Sequence, residues 1–268
     1  MDTFAEYILN EEELISKMEI VYYLSKKVKV YFDKAVIVKT ELARMFIEYM
    51  KLDVDENLLL TACLLCNCKK VNDAQKIGKL HTYALDGAMY LKELGFSSRF
   101  CKICEEVNRY SGSNPRERES DILELVDSFG GMILDRPERI GFEPEEALVL
   151  IEHRNLNGQF NRYLDTFKEF VKQIEEIRIE DTRNMKPIKL LVKTCNESKD
   201  VKDFMTKVCY EYSEKIDKII NKKNKEIADN IFNTEESSVN PNRPLFAEAT
   251  TKKIIGQLNN MESSEANE

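Results

Sequence analysis

A chain of 268 residues with nine glycines, six prolines, no tryptophan and 33% charged residues has the composition of an all-α protein, with no need for a sheet. Its formal net charge of −8 argues against broad attraction to nucleic acid or anionic lipid, and no segment approaches the roughly 18 apolar residues of a membrane span. Seven cysteines, an odd number scattered along the chain, read as reduced thiols and exclude a secreted disulfide framework.

The first residues, Met1 to Glu6, show neither a basic leader nor a signal-length apolar core, which predicts a cytoplasmic location. A helix is predicted from Asn10, with Asn10 and Glu13 as a capping box and Leu14, Met18, Val21, Val28 and Phe32 as one apolar stripe. A second helix carries Leu42, Met45, Phe46 and Tyr49. Asp55 then caps the most apolar run of the chain, Leu58 to Lys70, predicted as the central buried helix.

Leu80 to Leu94 gives another amphipathic helix, closed by Gly95 as the residue that most easily takes the left-handed conformation. Ser97 caps the next, which faces Phe100, Cys101, Ile103, Cys104 and Val107 inward. Ile122, Val126, Phe129 and Ile133 mark a further helix that stops before Asp135-Arg136-Pro137. Pro144 and Pro187 each suit a first helical turn. Between them, Phe160, Leu164, Phe167, Val171 and Ile174 line one helix, and a long stripe runs from Val201 through Tyr212 to Ile219. From about Asn233 the composition turns to Ser, Asn, Glu and Thr, which predicts a disordered polar tail. Within the tail, Phe246 and its neighbours form a short apolar motif.

Four segments, in order, carry a family resemblance. Glu119 to Arg139, which includes Asp127-Ser-Phe-Gly-Gly and Asp135-Arg-Pro, resembles the C-terminal signature of HD-GYP domains, the HD-superfamily phosphodiesterases that typically act on cyclic di-GMP. Ala62 to Lys70 is similar to the family's Ala-Ala-Leu-Leu-His-Asp-x-Gly-Lys. Tyr83 to Leu91, with Gly87-Ala88, is similar to His-x-x-x-Gly-Ala-x-x-Leu, and Arg109 to Pro115 to the segment ending in Gly-Tyr-Pro. The resemblance covers Val38 to Lys172. It implies an HD-superfamily helical domain over 37–180, preceded by an N-terminal helix in 1–36 and followed by a C-terminal helical extension over 181–232 and a disordered tail over 233–268.

Carried over residue by residue, the family's His-Asp pair falls on Cys66 and Asn67, its next histidine on Tyr83, and its paired histidines near Glu106 and Val107. An earlier histidine falls near Val38, and the late aspartate is retained as Asp127. The whole chain has two histidines, His81 and His153, too few for a two- or three-metal hydrolytic centre built on several imidazoles. The expectation is therefore a pseudoenzyme with vestigial metal-site positions Cys66, Asn67, Tyr83 and Asp127 and no metal or cofactor. Asp127 is expected to pair with Lys70, Asn67 or water. A residual nucleotide site would use Lys70 and Arg109.

The alternative keeps chemistry. Cys63, Cys66, Cys101 and Cys104 would hold zinc or iron in place of the lost histidines and serve a phosphohydrolase or a redox sensor. Against it, both pairs lie inside predicted helices, where buried cysteine is commonly a small hydrophobe. The lysine-rich stretch Lys215, Lys218, Lys222, Lys223 and Lys225 is interleaved with acids such as Glu214, the pattern of a solvated helix face and not of a nucleic-acid site. The expected partner is another protein, met through the C-terminal helix or the tail, with a homo-oligomer left open.

Overall fold

The structure is a computed structural model that describes residues 3–28, 30–70, 83–107, 116–137, 139–155 and 161–238. The described residues are mostly helical and contain no strand; two isolated bridges join Arg136 to Arg139 and Ile179 to Met185. The all-α class predicted from composition is observed.

Helix α1 (Phe4–Leu9) starts at a capping box in which Glu6 N–H donates to Thr3 Oγ1 and Thr3 N–H donates to the Glu6 carboxylate. The box predicted at Asn10 and Glu13 does not form. Asn10 instead ends α1, and Glu13 begins α2 (Leu14–Lys27) without a side-chain cap. The apolar stripe also stops early. The chain becomes extended at Val28, which is exposed, and Asp33 starts a new helix.

That helix, α3 (Lys34–Met50), is capped by Asp33, which accepts from Val36 N–H at 3.0 Å, and it ends at Lys51 in the left-handed region. Helix α4 (Glu56–Leu65) is capped by Asp55, as predicted, through Leu58 N–H at 2.9 Å. It is shorter than the apolar run, because Cys66 closes it and the chain turns through Asn67 and Cys68. The remaining helices are α5 (Tyr83–Glu93), α6 (Ser98–Glu105), α7 (Arg118–Ile133), α8 (Pro144–Asn155) and α9 (Leu164–Glu176). They are followed by α10 (Pro187–Glu197), α11 (Val201–Lys207), a π-helical turn (Val208–Tyr212) and α12 (Ser213–Ser238). Gly95 at φ 94° and Ser97, accepting from Phe100 N–H, punctuate the α5 to α6 connection as expected. Phe160, Arg109 and His81 lie outside the described residues.

Two helices share the centre. α4 packs on α1, α2, α3, α6 and α7, whereas α3 packs on α4, α7, α9, α10 and α11. The sequence singled out only α4 as the buried axis; α3 is buried along nearly its whole length as well. On α3, Phe46 meets Phe167 and Phe170 of α9 at ring-centroid distances of 5.0 and 5.2 Å, and Phe129 of α7 meets Phe167 at 5.3 Å. Such pairs add about 0.5–1.5 kcal/mol each beyond the apolar area they bury.

Residues up to Ile220 form one compact unit and Asn221–Glu268 a second. Within the first, α10 packs on α3 and α9, α11 packs on α2 and α3, and Arg44 of α3 reaches Asp217 of α12 at 2.7 Å. The segment read from sequence as an extension therefore docks, as far as Ile220, on the same helices that form the rest of the core. Tyr212, fully buried, donates to Pro187 O at 3.1 Å and fixes the π turn against the start of α10. The helix expected to end near Ile231 continues to Ser238.

One buried lysine fastens the N-terminal helices. Lys17 Nζ donates to Ile8 O at 2.6 Å and to Thr61 Oγ1 at 3.0 Å, tying α1 and α2 to α4. Burial lowers its pKa to about 8 against the opposing pull of Glu11 and Asp55.

Candidate functional site

The turn that ends α4 delivers two side chains to one place. Cys66 and Asn67 leave the end of the helix side by side, and the turn is pinned from outside by Tyr31 N–H, which donates to Cys68 O at 2.9 Å. Helix α7 presents Asp127 to them. Asn67 Nδ2 donates to Asp127 Oδ1 at 2.9 Å. Glycines border the cluster on two sides, each with room for a further carbon at ordinary contact distance. A Cβ at Gly87 of α5 would stand 3.4 Å from Cys68 Sγ, and one at Gly130 of α7 would stand 3.6 Å from Lys39 Cβ.

The group at the centre is one the sequence did not single out. Lys39 of α3, 2% exposed, donates from Nζ to Asp127 Oδ1 at 2.9 Å and to Cys66 Sγ at 3.0 Å. Burial works against the ammonium, but Asp127 and then Cys66 outweigh it and hold Lys39 well above the usual lysine value. Burial also pushes the Asp127 carboxyl up, and Lys39, Lys70 and the bonds from Lys39 and Asn67 bring it below the usual carboxylate range. Cys66 stays a thiol, since burial raises its pKa by more than Lys39 lowers it, and its Sγ–H donates to Cys63 O at 3.8 Å. The cluster thus contains one cation, one anion and a neutral sulfur.

Lys70 is not the partner of Asp127 that the sequence suggested. It stands one step away, its Nζ 5.8 Å from the Tyr31 ring centroid and 6.0 Å from that of Tyr83. A cavity of about 50 Å³ adjoins the cluster, lined by Tyr31, Asp33, Asn67, Lys70, Asp127 and Arg136. The Tyr31 hydroxyl is bonded to Asp33, and burial together with that carboxylate raises its pKa. Of the four positions that the resemblance singled out, Cys66, Asn67 and Asp127 converge, and the Tyr83 ring lies 6.0 Å from Lys70 Nζ. Glu106 belongs to a different group: it accepts from Ser120 Oγ and from Glu117 N–H at the start of α7.

The thiols proposed for zinc or iron are all buried. Burial raises the pKa of Cys63, Cys101 and Cys104. Cys101 Sγ–H donates to Phe96 O at 3.8 Å, the ordinary fate of a helical thiol. Among the described residues, no three His, Cys, Asp or Glu side chains stand together as a metal's donor set. The donor set around Asp127 does not fit a metal either, because a divalent ion needs unprotonated ligands and the one carboxylate is already neutralised by Lys39. His153 is exposed on α8. On α12, Lys218 pairs with Glu214 at 2.8 Å, the i, i+4 pair expected of a solvated face.

The Asp135-Arg-Pro segment has a structural use. Arg139 donates to Gly131 O at 2.6 Å and to Met132 O at 2.8 Å, closing the C-terminal end of α7, while Asp135 accepts from Gly141 N–H at 2.8 Å. No family model matches the chain, and no curated protein and no solved structure matches it. No helix of the described residues is long and apolar enough to cross a membrane.

Proposed function

We propose that this chain is a catalytically inactive HD-GYP-like helical domain that works as a regulatory or scaffolding protein-interaction module in the bacterial cytoplasm. The observation that carries this reading is the charge balance at Asp127. Phosphodiester hydrolysis by a metal centre needs a cation that activates water, and here the only carboxylate of the cluster is paired with a lysine. The resemblance supplies the fold half of the proposal and the cluster supplies the loss of chemistry.

The test is elemental analysis of the full chain, purified anaerobically under reducing conditions without a chelating tag, together with a cyclic di-GMP hydrolysis assay. The expected result is folded protein with no stoichiometric zinc, iron or manganese and no turnover. Stoichiometric metal lost in Cys66→Ser or Cys104→Ser, with hydrolysis or redox activity, would establish the cysteine-centred alternative instead. The partner surface is assigned to the C-terminal helix and tail. A chain lacking residues 221–268 should lose its partner in a pull-down, and full retention would move the surface to the remainder of the protein.

A further inference from the structure

We infer that Lys39 is a tethered cation that fills a buried cation site, so that the cluster of Asp127, Cys66 and Asn67 is permanently loaded by the chain's own ammonium and closed to metal ions. This deepens the non-catalytic reading and rests on it for the meaning of the three positions, but its geometry stands alone. The ammonium takes the place a bound ion would need: its Nζ is in hydrogen-bond contact with both the carboxylate oxygen and the sulfur. A metal bound to those same two atoms at about 2.0–2.3 Å would share both of the ammonium's contacts and would stand within a few ångströms of a like charge in a poorly solvated pocket, roughly the range at which such charges repel strongly.

Three features show a built site and not a chance pair. Lys39 emerges from the most buried helix, where burial alone would neutralise an unpaired lysine. Asn67 donates to the same Asp127 Oδ1 that takes the ammonium, so a second donor from a different helix end holds that oxygen in place. α7 packs on α3 at Lys39 itself, where a Cβ on Gly130 would come to ordinary contact, 3.6 Å, with Lys39 Cβ. The consequence is a domain that needs no metal to complete its centre and that does not respond to chelators.

The test compares the full-length wild type with Lys39→Ala, which removes the ammonium and leaves the carboxylate and the thiol. Cobalt(II) is the probe, because a bound thiolate gives it a near-ultraviolet charge-transfer band. Wild type should show no such band and no change in thermal midpoint with EDTA. Lys39→Ala should gain the band and a thermal midpoint that rises with cobalt, both lost on adding Cys66→Ala. A cobalt-thiolate band in wild type that disappears in Cys66→Ala would overturn the proposal, and so would a folded Lys39→Ala that binds no cobalt.

If Lys39→Ala does not fold, nitrogen-15 spectra of lysine-labelled wild type decide the matter. The Lys39 ammonium protons should exchange slowly with solvent at neutral pH and show a through-bond contact to the Asp127 carboxylate, and exchange as fast as that of surface lysines would overturn the proposal. Metal bound by wild type but indifferent to Cys66→Ala, with accompanying hydrolysis, would remove the non-catalytic reading while leaving Lys39 as the resident cation of its own cluster.

Discussion

Helices α3 and α4 lie side by side in the middle of the protein and are buried by different means. From Leu58 onward α4 is apolar except for Thr61 and is followed by neutral thiols, so its burial follows mainly from hydrophobic transfer. α3 buries Lys39, Glu41 and Arg44 as well as its apolar side chains, and each of these charges is compensated inside the fold. Lys39 meets Asp127; Arg44 takes Glu41 in a two-point contact, at 2.7 and 3.0 Å, and also reaches Asp217. A helix can therefore be central without being apolar, provided that its charges find partners, within the helix as Glu41 and Arg44 do or from elsewhere in the chain as Lys39 does.

The two modes should fail under different conditions, and the largest effect is alkaline. All seven thiols have raised folded-state pKa values, about 12 for Cys68 and Cys209 and about 11 for Cys195, with burial as the leading cause each time. The folded state keeps these protons while the unfolded chain releases them from about pH 8.5. Their contribution is thus fully present below that pH and is lost as pH rises, at no more than about 1.4 kcal/mol per pH unit for a thiol and only up to its own folded value. Lys17 has the opposite sign, since its folded pKa of about 8 favours folding as pH rises toward the unfolded lysine value, but it is one group against seven. Urea denaturation under reductant should show stability collapsing within about two pH units above 8.5. Replacing Cys63, Cys66 and Cys68 together by alanine should flatten that slope, and an unchanged slope would remove α4 as its source.

The next effect belongs to α3. Lys39→Met keeps the volume and removes the charge, leaving Asp127 without its partner. A loss of about 2–4 kcal/mol is expected, the lower part of the range for breaking a buried pair, because the carboxylate retains some exposure. Adding Asp127→Asn should recover much of it, and additive losses in the double-mutant cycle would show that the two do not interact. The same pair has an acid limb. Asp127 is held below the usual carboxylate range, so its contribution is present above about pH 3.9 and fades as pH falls through the folded value. The stability gap between wild type and the Lys39→Met, Asp127→Asn double variant should therefore narrow in acid, which denaturation curves from neutral to acid pH would measure. The smallest difference compares the caps. Asp55→Ala and Asp33→Ala each remove one cap hydrogen bond, at about 1 kcal/mol, with Asp33→Ala costing more because it also frees the Tyr31 hydroxyl.

The same contrast explains what the sequence could disclose. Features set by neighbours in the chain were legible: the Asp55 and Ser97 caps, Gly95, the prolines that open α8 and α10, and the Glu214 to Lys218 pair. The first capping box was misplaced because Thr3-x-x-Glu6 and Asn10-x-x-Glu13 present the same pattern twice, and only packing chooses between them. Cys66, Asn67 and Asp127 were named in advance. Lys39 was not, because its partner lies 88 residues away and a lysine inside an apolar run reads locally as a break in the stripe. A usable signal existed, since an expected buried carboxylate at Asp127 demanded a cation and Lys39 is flanked by Val36, Ile37, Val38 and Leu42.

The π turn at Val208–Tyr212 bears on the phase of the helix that contains it. The residues it joins, Phe204, Val208, Tyr212, Ile216 and Ile220, are all buried and recur at every fourth position. In an ideal α-helix each such step overshoots a full rotation by about 40°, so four steps would swing Ile220 roughly 160° away from Phe204. The wider turn unwinds the helix enough to take up part of that drift. Its geometry lets a row spaced four apart keep facing the core where a regular helix would have spiralled out of it.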